Sequence, residues 1–238
     1  MNEHLLSYLE FTNMPWGKLF YALIWEQLPE LKNKNILDFG SGFGITAAHY
    51  SNSNNVVAIE PDREMISLGE YTGIECMNGS VESLGKLSEH SFDVIICHNV
   101  LEYISDREVL FKAFNRLLKP SGILSIVKHN RIGRIMQKIV LENDIEKAKT
   151  MINGKNSVSQ KFGEIKTYSD DEIISRLSDD FDVKDIYGIG AFYPLQRNEI
   201  KLDHTWFDTM LDLEMSVSVM DDFKHLAGFH HIIFRKRG

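Results

Sequence analysis

Apolar positions along the chain follow two rhythms. Between Gly17 and Leu31, the residues Leu19, Phe20, Leu23, Ile24 and Leu28 recur every three or four positions, which predicts an amphipathic helix. A short apolar strand, Asn35 to Gly40, then runs into the turn Ser41-Gly42-Phe43-Gly44 and a helix over Ile45 to Tyr50. Asn55 to Glu60 repeats the strand pattern and ends in a carboxylate. Asp62 is placed to cap a helix reaching Tyr71, so the whole stretch reads as a βαβ unit.

The alternation continues through a third strand at Ile74 to Asn78 and a fourth at Phe92 to His98, apolar enough to be buried on both faces. A helix over Asp106 to Leu118, a turn at Lys119-Pro120-Ser121-Gly122 and a fifth strand at Ile123 to Lys128 follow. Strands alternating with helices predict an α/β fold, a doubly wound and mostly parallel sheet of Rossmann-like form. Beyond it, His129 to Lys166 shows no clear strand. Ser169 to Leu177 reads as a capped helix, Phe181 to Gly188 as a sixth strand, Leu202 to Met220 as a helix and Phe229 to Arg235 as a final strand. No internal repeat or linker interrupts the 238 residues, so a single domain over residues 1–238 is expected.

Composition narrows the picture by exclusion. With 43% hydrophobic and 25% charged residues, the chain is ordinary globular protein rather than a disordered or fibrous one. No apolar run approaches the roughly 20 residues of a membrane-crossing helix. No basic stretch followed by an apolar core occupies Met1 to Glu10, and the two cysteines, Cys76 and Cys97, are too far apart for a metal knuckle. A soluble protein of a reducing cytoplasm, with no membrane partner and no metal, is the expectation. His230 and His231 are adjacent on a strand and point to opposite faces, so they cannot share a metal either. The net charge of −8 disfavours nucleic acid as a partner of the chain as a whole.

The glycine cluster carries the chemistry. In doubly wound sheets ligands sit beyond the carboxyl ends of the strands, so the loop after the first strand and the acid closing the second face one site. Dinucleotides and S-adenosylmethionine compete for such a loop, and Asp38 separates them. A carboxylate there repels a pyrophosphate but attracts the ammonium of a methionyl group. Ile45 stands where a dinucleotide loop needs its third glycine, and Glu60, 22 residues beyond Asp38, is placed to accept from both ribose hydroxyls. A Gly-rich loop alone is equally a tight structural turn.

The joint pattern is more specific. Asp38 to Gly44, then Glu60, then His98-Asn99-Val100-Leu101-Glu102-Tyr103, then Leu117 to Gly122 resembles the class I S-adenosylmethionine-dependent methyltransferases. That resemblance implies a seven-stranded sheet, S-adenosylmethionine as cofactor, and cofactor contacts from Asp38, Gly40, Ser41, Gly42, Glu60, Ser80, Val81 and His98. His98 is equally read as a hydrogen-bonded strand-end histidine. The resemblance also implies a helical lid, with residues 130–167 and 187–220 shaping the acceptor pocket.

More narrowly, Ile24-Trp25, His98, Val100-Leu101-Glu102, Asn130, Gly188-Ile189, Phe192, Leu211 and Leu213-Glu214 are similar to the bacterial tRNA methyltransferases that esterify 5-carboxymethoxyuridine. The chain departs from them where Phe20 and Gly190 stand at the family's arginine positions, leaving Arg197 or Arg131 to hold a substrate carboxylate.

For the chemistry itself, in-line methyl transfer needs positioning more than a protein nucleophile. His129 and Tyr193 are the weak base candidates, and Trp16, Tyr103 and Trp206 are candidates to line the acceptor pocket, although aromatics there also serve as plain core. From Lys128 to Lys166, nine basic residues against four acidic leave a surplus of +5, and −13 on the rest of the chain. Arg131, Arg134 and Lys138 would share one helical face, suited to a phosphate or simply solvated. The expected acceptor is a small-molecule acid or alcohol. A tRNA wobble uridine is the alternative, and a non-catalytic S-adenosylmethionine-binding regulatory module is a third reading.

Overall fold

The computed structural model describes residues 3–153, 157–159, 163–165 and 168–238. In chain order the elements are α1 (Glu3–Asn13), α2 (Pro15–Glu26), β1 (Asn35–Phe39), α3 (Ile45–Ser51), β2 (Asn55–Glu60), α4 (Arg63–Leu68), β3 (Glu75–Asn78), β4 (Phe92–His98), α5 (Arg107–Leu117) and β5 (Leu118–His129). Then come α6 (Arg131–Val140), α7 (Ile145–Ile152), β6 (Ser157–Ser159), β7 (Gly163–Ile165), α8 (Asp170–Leu177), β8 (Phe181–Ile189), α9 (Trp206–Val217), α10 (Asp221–Leu226) and β9 (Phe229–Lys236). Seven strands form one sheet in the order β3-β2-β1-β4-β5-β9-β8, and the neighbours from β3 through β2, β1 and β4 to β5 pair in parallel. This is the expected mostly parallel Rossmann-like sheet.

Four details differ from the sequence pattern, the first being that α4 ends at Leu68 at the cap Gly69 rather than reaching Tyr71. The segment His129 to Lys166 does contain strands, β6 and β7, a small antiparallel pair from Ser157↔Ile165 to Ser159↔Gly163. Three-residue strands are too short to show a period. The turn at Lys119 to Gly122 is absorbed into β5, where the register jumps from Phe92↔Leu118 to Val94↔Ile123 and Ser121 takes a φ of 62°. The late helix is shorter than Leu202 to Met220, because its ends become a 3₁₀ turn at Ile200–Leu202 and the separate α10. Lys155, Lys161, Lys166 and Thr167 lie outside the described residues.

The chain divides into two compact units. One comprises Glu30–Val127, Tyr168–Asp185 and Ile232–Gly238. Its core is the apolar interior of β1, β4 and β5, with Ile36, Leu37, Val94, Ile95, Ile96, Leu124 and Ile126 all buried. Helix α5 buries Leu110, Phe111, Phe114 and Leu117, one face at helical spacing, and Phe114 meets Phe39 edge-on at 5.6 Å. Its start is capped by Asp106, which accepts from Val109 N–H; Asp62 and Ser169 cap α4 and α8 in the same way.

The other unit comprises Met1–Pro29, Lys128–Thr167 and Ile186–His231. Polar side chains pin its irregular backbone. Asn130 donates to the carbonyls of His225 and Ala227, at 2.8 Å each, while its own oxygen caps α6 by accepting from Ile132 N–H. Gln27 donates to Gly188 O, so its oxygen is the acceptor facing His231 Nδ1 at 2.9 Å, and that nitrogen carries the proton. Burial pushes the pKa of His231 down to about 3. Folding therefore holds it neutral, and this contribution is present above the unfolded value near 6.5 and lost as pH falls from there toward 3. The stability advantage of the parent over His231→Gln should shrink by about 1.4 kcal/mol per pH unit below about 6, read by urea unfolding. A pH-independent difference would show that His231 titrates normally in the folded protein.

Candidate functional site

The carboxyl ends of β1, β2, β3 and β4 bring together all eight residues expected to contact a cofactor. Parallel pairing sets Asp38 beside Ala58 and Phe39 beside Ile59, so the chain leaving β1 turns at the level where β2 ends. Gly40 and Ser41 N–H both reach Ile59 O, at 2.8 and 3.1 Å. Gly40 has a φ of 77°, and a Cβ there would lie 2.2 Å from Val100 Cγ2. The position accepts no side chain on either count. Gly40→Ala should therefore displace Val100 and weaken nucleoside-ligand binding by about five- to thirtyfold through backbone strain of roughly 1 to 2 kcal/mol, measured by calorimetry. Unchanged affinity would mean that the loop adapts freely.

Glu60 ties the loop from below. Its two oxygens accept from Gly42 N–H at 2.8 Å and Asp62 N–H at 2.9 Å. Tyr71, which the sequence reading left at a helix end, donates to Gly42 O at 2.7 Å, and its oxygen lies 2.7 Å from Ser41 Oγ. Asn78 sits beside Glu60 in the β2–β3 register and donates to the carbonyls of Glu60 and Pro61. Neither residue carries a signal in the sequence, because both act through loop backbone that becomes adjacent only once the sheet forms.

Asp38 is the anomaly of the site. It is 3% exposed; one carboxylate oxygen takes a backbone bond from Ala47, while Oδ2 is buried without a hydrogen-bond partner. Burial, followed by the charge of nearby Glu60, raises its pKa to about 7. An acid so placed is short of one cationic or donor partner. Asn99, just past β4 with a φ of 57°, likewise buries an unpartnered Oδ1.

The remaining expected contacts are held by their own neighbours. Ser80 donates to Glu82, and Val81 opens the 3₁₀ turn Val81–Lys86. His98 Nε2 lies 2.7 Å from Ser125 Oγ on β5, the hydrogen-bonded strand-end arrangement that was one of its two readings. Cys97 is fully buried and Cys76 only partly so, and burial raises both thiols, leaving neither poised as a nucleophile. No cluster of metal-ligating side chains occurs among the described residues.

The expected acceptor-side residues belong to the other unit, except Tyr103, which lies in the unit of the glycine loop. His129 stacks on Phe229 at 4.6 Å, and burial, Arg134 and Lys128 together push its pKa down to about 3, which makes it a weak base. Tyr193 is buried, and its phenol is pushed up by burial and by Glu214, so it stays protonated. Arg131 donates to the carbonyls of Met151 and Ile152 at the end of α7, and Lys138 pairs with Glu142. Arg134 is partly buried on the same helix, Arg197 is exposed, and Trp16 lies beneath the ammonium of Lys201.

Both departures from the resembled tRNA methyltransferases are built into the packing. Phe20 packs on Phe229 at 4.9 Å. Gly190 has a φ of 75°, and a Cβ there would meet Pro194 Cγ at 2.7 Å.

Residues 37–126 match the family described as "Methyltransferase domain". The match is confined to this stretch, well under half of the chain. It contains the glycine loop, Asp38, Glu60 and the ends of β3 and β4. The tRNA 5-carboxymethoxyuridine methyltransferase of Escherichia coli K12 is 24% identical over 142 residues, covering 53% of this chain and 54% of that protein. A ubiquinone biosynthesis O-methyltransferase of Xanthomonas oryzae pv. oryzae is 30% identical over 109 residues, covering 43% and 46%. The chain thus spans about half the length of the curated relatives it matches. A SAM-dependent methyltransferase structure from Thermotoga maritima superposes with a TM-score of 0.65 at 16% identity, covering 97% of this chain and 95% of that one, a likeness of fold. Among the described residues, no helix is long and apolar enough to cross a membrane.

Proposed function

We propose that the chain is an S-adenosylmethionine-dependent methyltransferase whose acceptor is a small-molecule acid or alcohol. The observation that carries this reading is Asp38, a buried carboxylate with one unpartnered oxygen at the foot of a loop of positive-φ glycines. An ammonium satisfies that oxygen and relieves the burial penalty, which a pyrophosphate would deepen. The cofactor, when bound, supplies a methyl group on a positively charged sulfur.

Asp38 holds the ammonium, while the side-chain-free Gly40 and Gly42 allow close approach. Glu60, whose carboxylate accepts from Gly42 and Asp62 N–H, closes the second strand on the side where the ribose hydroxyls would sit. Ser41, Ser80, Val81 and His98 complete the surround.

The state of the base candidates favours an acid as acceptor. His129 is a weak base and Tyr193 a protonated phenol, so neither is primed to remove a proton. A carboxylate is ionised at neutral pH and attacks without losing one, so positioning suffices. The basic face of α6 is partly used inside the protein, since Arg131 caps α7 and Lys138 pairs with Glu142. This weighs against the tRNA reading, which keeps the +5 surplus over Lys128 to Lys166 and the Escherichia coli relative in its favour.

The test is formation of S-adenosylhomocysteine with fractionated small-molecule acids against bulk tRNA, for the parent and for Arg131→Ala/Arg134→Ala/Lys138→Ala. Turnover on an acid fraction, retained in the triple variant, is expected. Methylation of tRNA that disappears in the triple variant would replace this acceptor with the wobble uridine. Tight cofactor binding without turnover on either would favour the regulatory module.

A further inference from the structure

The start of α2 and the segment from Lys201 to Phe207, both within one compact unit, enclose a groove whose walls include Pro15, Lys18, Lys201, Leu202 and Phe207. Lys201 is only 4% exposed. Its ammonium donates to Asn198 Oδ1 at 3.1 Å and sits 5.2 Å from the centre of the Trp16 ring, and no carboxylate among the described residues pairs with it. Asp203, on the same groove, directs one oxygen to Thr205 N–H and Oγ1, at 2.8 and 2.6 Å.

A buried ammonium facing a neutral amide and an aromatic ring lacks the anion that ordinarily compensates burial. Burial accordingly lowers its pKa. Asn198 and Trp16 orient the group rather than neutralise it, a cation–π contact of this kind contributing less than an ion pair in a desolvated site. One compact cation flanked by Pro15, Leu202 and Phe207 matches a singly charged head on an apolar body. A nucleic-acid backbone would call for several exposed cations in a row, whereas among the described residues lining this groove Lys18 is the one exposed lysine or arginine, and His204 lies against Asp203.

We propose that this groove binds a carboxylate-bearing small molecule, with Lys201 as the carboxylate anchor, Trp16 beneath it and Phe207 and Leu202 against the ligand's apolar part. The proposal stands independently of the methyltransferase reading, because it concerns binding alone.

Benzoate, its neutral isostere benzamide, inorganic phosphate and a short single-stranded oligoribonucleotide are the probes, titrated against the full chain with tryptophan fluorescence and calorimetry. Benzoate should bind saturably and at least tenfold more tightly than benzamide or phosphate. The fluorescence response should vanish in Trp16→Phe while the calorimetric signal persists. Lys201→Met should lose benzoate tenfold or more while its melting temperature stays level or rises, since a buried charge is removed. Lys18→Met, at an exposed position, should weaken benzoate two- to threefold and serves as the second variant should Lys201→Met misfold. Equal binding of benzoate and benzamide, no saturable benzoate binding, parent-like binding by a folded Lys201→Met, or, where that variant misfolds, parent-like binding by Lys18→Met would overturn the proposal. Oligoribonucleotide displacing benzoate would replace it with a nucleic-acid contact. Affinity for S-adenosylhomocysteine, measured in parallel, should be the same in all variants, so failure of the groove and failure of the methyltransferase reading give different results.

Discussion

Asp38→Asn is expected to bind S-adenosylhomocysteine about thirtyfold or more weakly than the parent at pH 8, since losing one partner of a buried charge pair costs about 2 kcal/mol or more. The same variant should unfold at a higher temperature without ligand. The carboxylate titrates near 3.8 when unfolded and at about 7 when folded, so the folded state binds the extra proton in between. At pH 8 the ionised, buried form therefore destabilises the ligand-free protein by up to about 4 kcal/mol, a penalty relieved as pH falls through 7 toward 3.8. Asparagine removes it. Ligand binding runs the opposite way, because only the ionised acid attracts the ammonium, so the parent's affinity should fall about tenfold between pH 8 and pH 6. That pH dependence should be missing from Asp38→Asn. Calorimetry at the two pH values and thermal unfolding of both proteins read all three effects. A variant that binds as the parent does and melts at the same temperature would move the cofactor site away from Asp38.

Glu214→Ala should cost about 4 kcal/mol of stability, because it strands several buried donors at once. Glu214 is 1% exposed, and its two oxygens accept from the N–H groups of Ala191, Phe192 and Tyr193 at 2.8 to 2.9 Å. These amides leave β8 at Gly190, where the positive φ turns the chain, and no helix or strand partner takes them. A carboxylate reaching across from α9 substitutes for secondary structure. Glu214→Gln offers one acceptor oxygen in place of two and no charge, so it should lose roughly half as much, about 2 kcal/mol. Chemical denaturation of the three proteins separates the cases. Equal stability of Glu214→Gln and the parent would show that geometry rather than charge holds this turn.

The cofactor side of the protein was legible in the sequence because its determinants are local. Strand, glycine turn, helix and strand follow one another within 26 residues, from Asn35 to Glu60, and each is announced by period or by turn chemistry. Asp38 and Glu60 could be singled out because strand order in a doubly wound sheet places adjacent carboxyl ends together. The caps at Asp62 and Ser169 were visible for the same reason, each being a contact between residues two or three apart.

The bracing roles of the residues that hold these loops were invisible. Tyr71 reaches back 29 residues to Gly42, Ser125 meets His98 across a strand pair, and Glu214 caps amides 21 to 23 residues away. A side chain that bonds a distant backbone leaves no periodic mark. The three-residue strands β6 and β7 escaped because a pair so short is specified by its partner rather than by its own pattern.

By itself, then, the sequence determined the α/β alternation, the mostly parallel sheet and the loop suited to a methionyl cofactor, since backbone periodicity and turn stereochemistry act between near neighbours. Tertiary structure alone decided protonation and pairing. It raised Asp38, depressed His129 and His231, bound Arg131 to the end of α7 and set the buried Lys201 against the amide of Asn198, because burial and long-range hydrogen bonds, not residue type, set the charge each group carries.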